Sequence, residues 1–182
     1  MNIGCNLLMD SGADSCVAGK HAWIVEIVEG ITVSAQGSND SMPIDVNLPI
    51  VNVLYAYNHP DTGKVIILCM NHCIYLGDKK IDSIVCPNQM QLHGIYVDER
   101  PRTLFPGIDS AQTIVADEIT MPLKLKRSLP YLPTRRPTLL QNFGYDSPAY
   151  RVDLVSWIGP LWRRLLLISK TPRQTSTSLP GF

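Results

Sequence analysis

An acid, a hydroxyl residue and a glycine stand in a row at Asp10, Ser11 and Gly12, after the apolar run Leu7-Leu8-Met9 and before the small residue Ala13. A carboxylate delivered by a buried strand onto a tight turn is what amide hydrolysis by paired acids demands. Two carboxyl groups roughly 3 Å apart cannot both ionise, so the pair keeps one proton, and one member serves as base while the other serves as acid. In that chemistry Asp10 is the catalytic acid and Ser11 steadies the turn through its hydroxyl. Gly12 allows a close backbone approach in a conformation that would strain a residue with a Cβ, and Ala13 leaves room for a neighbour. The same tripeptide also serves as a plain polar turn after a strand, with Asp10 solvated. Asp14 carries the same choice between orienting the turn, or pairing with a neighbouring subunit, and simple solvation.

Other reactive side chains point less clearly to chemistry. The string Cys69-Met70-Asn71-His72-Cys73, with Cys86 beyond it, invites a zinc reading. Adjacent residues on a strand face opposite ways, however, so His72 and Cys73 fit a tetrahedral site poorly. Buried free thiols are the better expectation, and no metal or organic cofactor is implied. His21, His59 and His93 have no nucleophile at useful spacing. The segment Asp10–Ser15, "DSGADS", also matches Asp-Ser-Gly-x-x-Ser, a degron once both serines are phosphorylated. That reading makes the chain a regulated interaction module and needs the segment exposed and flexible.

The elements that must position Asp10 are read from periodicity and turn signals. Ile3–Met9 is strand-like, as are Trp23–Val28, Ile31–Ala35, Met42–Val46, Ile50–Tyr57 and Lys64–Met70. Gln36–Asp40 and Asn58–Gly63 are the turns between them. Short apolar pieces follow at Cys73–Leu76 and Ser83–Cys86. Pro87–His93 is expected to form one short helix with the proline at its start. Trp23 is expected in the core. The expectation is a mainly β domain over residues 1–100, a small barrel or closed sheet with one short helix.

Charge and proline divide the chain near Glu99–Arg102. Residues 1–100 carry 5 Lys/Arg against 11 Asp/Glu, net −6, and residues 101–182 carry 11 against 5, net +6. Prolines number 4 in the first part and 10 in the second. Residues 101–182 are therefore expected to be an irregular, basic, proline-rich tail, with disorder over Thr171–Phe182 and a short helix or strand within Val152–Ile168. Basic residues such as Lys124, Lys126, Arg135 and Arg163 could meet phosphates, but aromatics are not interleaved with them, and a solvated linker is favoured over nucleic-acid binding. Five cysteines without a signal peptide suggest free thiols in a reducing, cytoplasmic setting. No apolar run reaches the roughly 18 residues of a membrane helix.

"LLMDSGA" resembles the signature of aspartic proteases, apolar residues followed by Asp-Ser/Thr-Gly-Ala. One such signature in about a hundred residues is similar to the retropepsin family, and further stretches resemble its copia-type retrotransposon branch. "TVSAQGSNDSMPI" (Thr32–Ile44) looks like the glycine-containing flap hairpin, "VNVLY" (Val51–Tyr55) like an Asn-Val-Leu-Tyr strand, and "SIVCPNQMQLHGIYVDE" (Ser83–Glu99) like the closing segment. The resemblance implies an aspartic endopeptidase of a retroelement polyprotein, homodimeric with one catalytic Asp10 per chain and the polyprotein as substrate. It carries over Ser11, Gly12 and Ala13 as the supporting turn and Gly37 as a flap residue. A non-catalytic relic that keeps the fold without the chemistry is the other reading it leaves open.

Overall fold

The structure is a computed structural model that describes residues 4–37, 41–101, 111–138 and 150–155. The apolar strand before Asp10 is β1 (Gly4–Met9), in which Cys5, Leu7 and Met9 are buried and alternate with half-buried neighbours. That period of two gives it a core face. It is followed by β2 (Val17–Gly19), β3 (Trp23–Ala35), β4 (Asp45–Asn58), β5 (Val65–Gly77) and β6 (Ser83–Val85). Among the described residues the one short helix is α1 (Pro87–Leu92), which starts on its proline as expected. Then come β7 (Tyr96–Asp98), β8 (Thr113–Ala116), β9 (Ile119–Pro122), β10 (Lys124–Lys126), β11 (Leu129–Arg135) and β12 (Tyr150–Val155). The chain is mainly β, as its alternation and turn signals imply.

Among the described residues nine strands form one sheet in the order β10-β11-β1-β6-β2-β5-β4-β3, with β12 parallel to β5. A further pair, Arg135 opposite Ala56, joins β11 to β4, so the path of pairings returns on itself. The smaller sheet is β7-β8-β9. The continuous apolar run of β4 is explained by burial on both faces. Val51, Val53, Tyr55 and Tyr57 enter the main core with Leu7, Met9, Leu68 and Leu132, while Leu54 and Ala56 pack with Ile67, Cys69, Trp23 and Val65 on the other side. Trp23 thus packs on the smaller cluster, with the Arg136 guanidinium 4.8 Å from its ring.

Two expectations change. β3, β4 and β5 are each one strand where two pieces were expected, and residues 42–44 stand outside β4. Register shifts fall between Ile27 and Thr32 of β3 and between Val51 and Val53 of β4. More importantly, residues 113–135 are regular strands instead of an irregular tail. Ile114, Met121 and Leu123 join the same buried cluster as Leu7 and Val97, so the core crosses the boundary expected at residue 100. Proline count misled because β10 covers only Leu129–Tyr131 of β11 and β1 only Tyr131–Arg135. Each half of β11 is an edge on one side, where Pro130 and Pro133 lose few ladder bonds. The helix or strand expected within Val152–Ile168 is a strand at β12. The rest of that span, Arg163, Arg164 and the closing residues expected to be disordered lie outside the described residues. Among the described residues no helix is long and apolar enough to cross a membrane.

Polar side chains tie the late strands to the early ones. The Asp82 carboxylate accepts from the Asn6 amide at 3.3 Å, Asn6 Nδ2 at 3.0 Å and Lys126 Nζ at 2.8 Å. His59 Nδ1 accepts from the Asp61 and Thr62 amides at 3.2 and 3.4 Å, which leaves Nε2 to donate to the Thr120 carbonyl at 3.0 Å.

Removing residues after Pro101 takes away the antiparallel neighbour of β1, and the truncated chain is expected to lose cooperative thermal unfolding followed by circular dichroism. In the full chain Leu132→Ala is expected to cost about 2–5 kcal/mol in urea denaturation. A stable, cooperative truncation would mean that β11 is not part of the fold's core. A second expectation concerns pH. Burial alone would push the Asp82 carboxyl up, but the bonds from Lys126 and Asn6 outweigh it and hold its pKa below the usual carboxylate value. The stabilisation is therefore complete above the unfolded-state pKa of about 3.9 and vanishes as pH falls through the lower folded value. Urea curves of wild type and Asp82→Asn should differ at pH 7 and converge as pH drops below about 4. A gap that widened in acid would contradict this sign.

Candidate functional site

The turn after β1 is built by three strands and a helix start. β6 lies between β1 and β2, parallel to the first with Leu8 opposite Ile84 and antiparallel to the second with Val17 opposite Ile84. The last bond of this arrangement runs from the Asp10 amide to the Val85 carbonyl at 3.0 Å. The strand then ends, and Asp10, Ser11 and Gly12 are exposed. A buried strand thus delivers its carboxylate directly to the surface.

Within the turn, the Asp10 carboxylate folds back to accept from the Gly12 amide at 3.0 Å, and the Ala13 amide donates to the Asp10 carbonyl at 3.1 Å. The first bond leaves Asp10 Oδ2 free of hydrogen bonds among the described residues. Sequence and structure part over how Gly12 and Ser11 act. Gly12 does not have a positive φ. What a side chain would meet there is the carboxylate itself, since a Cβ on Gly12 would sit 3.3 Å from Asp10 Oδ1, close enough to displace it. Among the described residues the Ser11 hydroxyl makes no hydrogen bond. The turn is held instead through the Ser11 carbonyl.

That carbonyl belongs to a clamp that the sequence reading missed. From the segment leading into α1, Asn88 Nδ2 donates to the Ser11 carbonyl at 3.2 Å, Cys86 Sγ to the Ala13 carbonyl at 2.9 Å and Gln89 Nε2 to the Asp14 carbonyl at 3.1 Å. Gln89 Oε1 in turn accepts from Cys16 Sγ at 3.2 Å, and Cys16 Sγ accepts from the Cys86 amide at 3.3 Å. Ala13 is half-buried, as a residue pinned from one side should be. Burial pushes the Cys16 thiol up to about 11, against the lowering effect of the Cys86 amide, so it stays protonated as a donor at neutral pH. The clue in the sequence was Asn88-Gln89 directly after Pro87, two long amides where a helix start would tolerate almost any polar pair.

The remaining candidates lie apart from this turn. Gly37 is exposed in the connection between β3 and β4, where a Cβ would collide with the Met42 sulfur; residues 38–40 beside it lie outside the described residues. The β3–β4 hairpin carries exposed Val25, Ile27, Ile31, Met42, Ile44 and Val46. All five cysteines are free and buried. Among the described residues no group of three or more His, Cys, Asp or Glu is placed to hold a metal ion. No family model, curated protein or solved structure matches the chain.

Gly12→Ala is expected to keep the fold but push Asp10 Oδ1 off the Gly12 amide, at a cost of about 0.5–1.5 kcal/mol. The check is the ¹³C shift of the Asp10 carboxyl together with urea denaturation. Unchanged shift and stability would show that the close approach does not constrain the carboxylate.

Proposed function

We propose that this chain is one half of a retropepsin-like aspartic endopeptidase, acting on a polyprotein as a homodimer with one Asp10 from each subunit. The observation that carries the proposal is the exposed Asp10 carboxylate at the end of a buried strand, on a turn fixed by main-chain pairing to β6 and by side chains at the start of α1. Such rigidity is what a pair of acids sharing a proton needs, because the pair works only while the two carboxyls stay within hydrogen-bond reach. A two-fold axis is the simplest way to place a second Asp10 opposite the first.

In this reading one water sits between the two carboxyls. The ionised Asp10 takes a proton from the water as its oxygen attacks the scissile carbonyl carbon, and the protonated Asp10 gives its proton to the carbonyl oxygen. The tetrahedral intermediate then collapses as a carboxyl returns a proton to the leaving amide nitrogen. The β3–β4 hairpin takes the part of a flap, its exposed apolar side chains covering the substrate chain, with Gly37 near its tip. The phosphodegron reading needs Ser11 and Ser15 on a flexible segment that a kinase can draw into its own site. The hydrogen-bonded turn favours the enzymatic reading.

A half-site has a kinetic signature. Below the dimer dissociation constant, cleavage of a mixed peptide library should rise with the square of protein concentration. Adding Asp10→Asn chain should poison the rate by forming dimers with one dead acid. Strictly linear kinetics with no poisoning would remove the shared site. Folded, dimeric protein without any cleavage would favour the relic.

A further inference from the structure

Two thiols are built into the clamp on the Asp10 turn, and the proposed chemistry uses neither. Val17 lies opposite Ile84 in the β2–β6 ladder, which sets Cys16 and Cys86 just past its end, one position off the directly opposite pairs. A disulfide asks that its Cα atoms lie roughly 4.4–6.8 Å apart, so the two residues must be close neighbours. The contact is direct, since the Cys86 amide nitrogen, two bonds from Cys86 Cβ, is 3.3 Å from Cys16 Sγ. Each thiol also spends its proton in the clamp, Cys86 on the Ala13 carbonyl of the turn and Cys16 on the Oε1 of Gln89, whose Nε2 holds the Asp14 carbonyl.

The geometry points to a redox switch on the Asp10 turn, in which a peroxide joins Cys16 to Cys86 and removes one donor to the turn and one to the Gln89 side chain that grips it. The sulfur chemistry balances in two steps. The Cys86 thiolate attacks one peroxide oxygen, the O–O bond breaks, and the departing hydroxide takes a proton to leave as water, with Cys86 as the sulfenic acid. The Cys16 thiolate then attacks the Cys86 sulfur, the S–O bond breaks, and hydroxide again leaves as water. Two thiols lose two electrons to one peroxide. A thiol reductant restores both donors. Burial of both residues favours an oxidant of peroxide's size over a bulky disulfide. The raised Cys16 thiol suits the resolving role, where its neighbour's proximity offsets a small thiolate fraction.

Loss of the two S–H donors frees the Ala13 carbonyl and Gln89 Oε1, and the turn should loosen around Asp10. The structural part of this inference stands by itself; its effect on peptide cleavage rests on the protease reading. The experiment treats the intact wild-type chain with hydrogen peroxide, maps disulfides by mass spectrometry without reduction, and follows amide exchange at Gly12 and Ala13. Expected are a Cys16–Cys86 linked peptide and exchange faster by roughly five- to ten-fold, about the worth of one lost hydrogen bond, with dithiothreitol reversing both. Cys86→Ser should abolish the link while the folded chain keeps its circular dichroism spectrum. A Cys16–Cys73 link, unlinked sulfinic acid at Cys86, unmodified thiols, or a correct link with unchanged exchange would each overturn the switch. The expected link and exchange in a chain that cleaves nothing in either redox state would support the switch and count against the protease reading instead.

Discussion

The placement of β6 between β1 and β2 is the constraint on which the rest of the molecule depends. Three residues, Ser83, Ile84 and Val85, must satisfy two neighbours of opposite sense at once, so this strand has no free edge. Its polar member is spent on the core. Ser83 is buried, its Oγ accepts from the Gly19 amide at 3.0 Å and lies 2.6 Å from the Tyr55 hydroxyl. Gly19 is fixed by the same crowding, since a Cβ there would come within 2.8 Å of the carbonyls of both Lys80 and Ile81. The chain turning into β6 passes so close to β2 that only glycine fits. Once these strands are in place, the Asp10 amide has one acceptor available, Val85, and the direction in which β1 leaves the core is set.

Around this centre the long strands bend by breaking register. Opposite Asn52 the β4–β5 ladder shifts between Val51 and Val53, and His72 takes a φ of +56°. Asn52, itself buried, repairs the break by accepting from the His72 amide at 2.8 Å and donating to Glu26 at 2.7 Å. One side chain thereby links irregularities in three strands, as bulges that curve a sheet require. The single-residue closure between Arg135 and Ala56 is possible because the sheet curves this far.

What was legible in the sequence was what local chemistry dictates. The apolar run Leu7–Met9, the turn at Asn58–Gly63 and Pro87 at a helix start each marked their elements, because apolar runs, turn residues and proline's fixed φ act over a few residues. Asp10 at a strand end was legible for the same reason. Long-range partners were not. Nothing in "LPYLPTR" announces that its alternate residues Pro130, Leu132 and Thr134 face the core beside β1. Its prolines argued for a linker because the cost of a missing N–H depends on which strand lies on which side. The clamp was not legible as such either: Asn88 and Gln89 after Pro87 were its one clue, and they acquire meaning only when β6 brings the start of α1 under the turn. Gly12 was singled out for a conformation it does not have, since a sequence marks where a glycine stands and not whether space or φ requires it.

The pairing of β1 with β11 also sets a clock on synthesis. Cys5 and Thr134 share a buried contact across 129 positions. At roughly 5–20 residues per second, on the order of 6–26 seconds separate the synthesis of Cys5 from that of its partner on β11. Until β6 is made β1 has neither neighbour, and until β11 follows it keeps one open edge, with Cys5, Leu7 and Met9 facing a core that is still incomplete. Folding of the Asp10 turn is therefore a late event in the life of the nascent chain, and slow translation lengthens the period in which that strand can pair with the wrong partner.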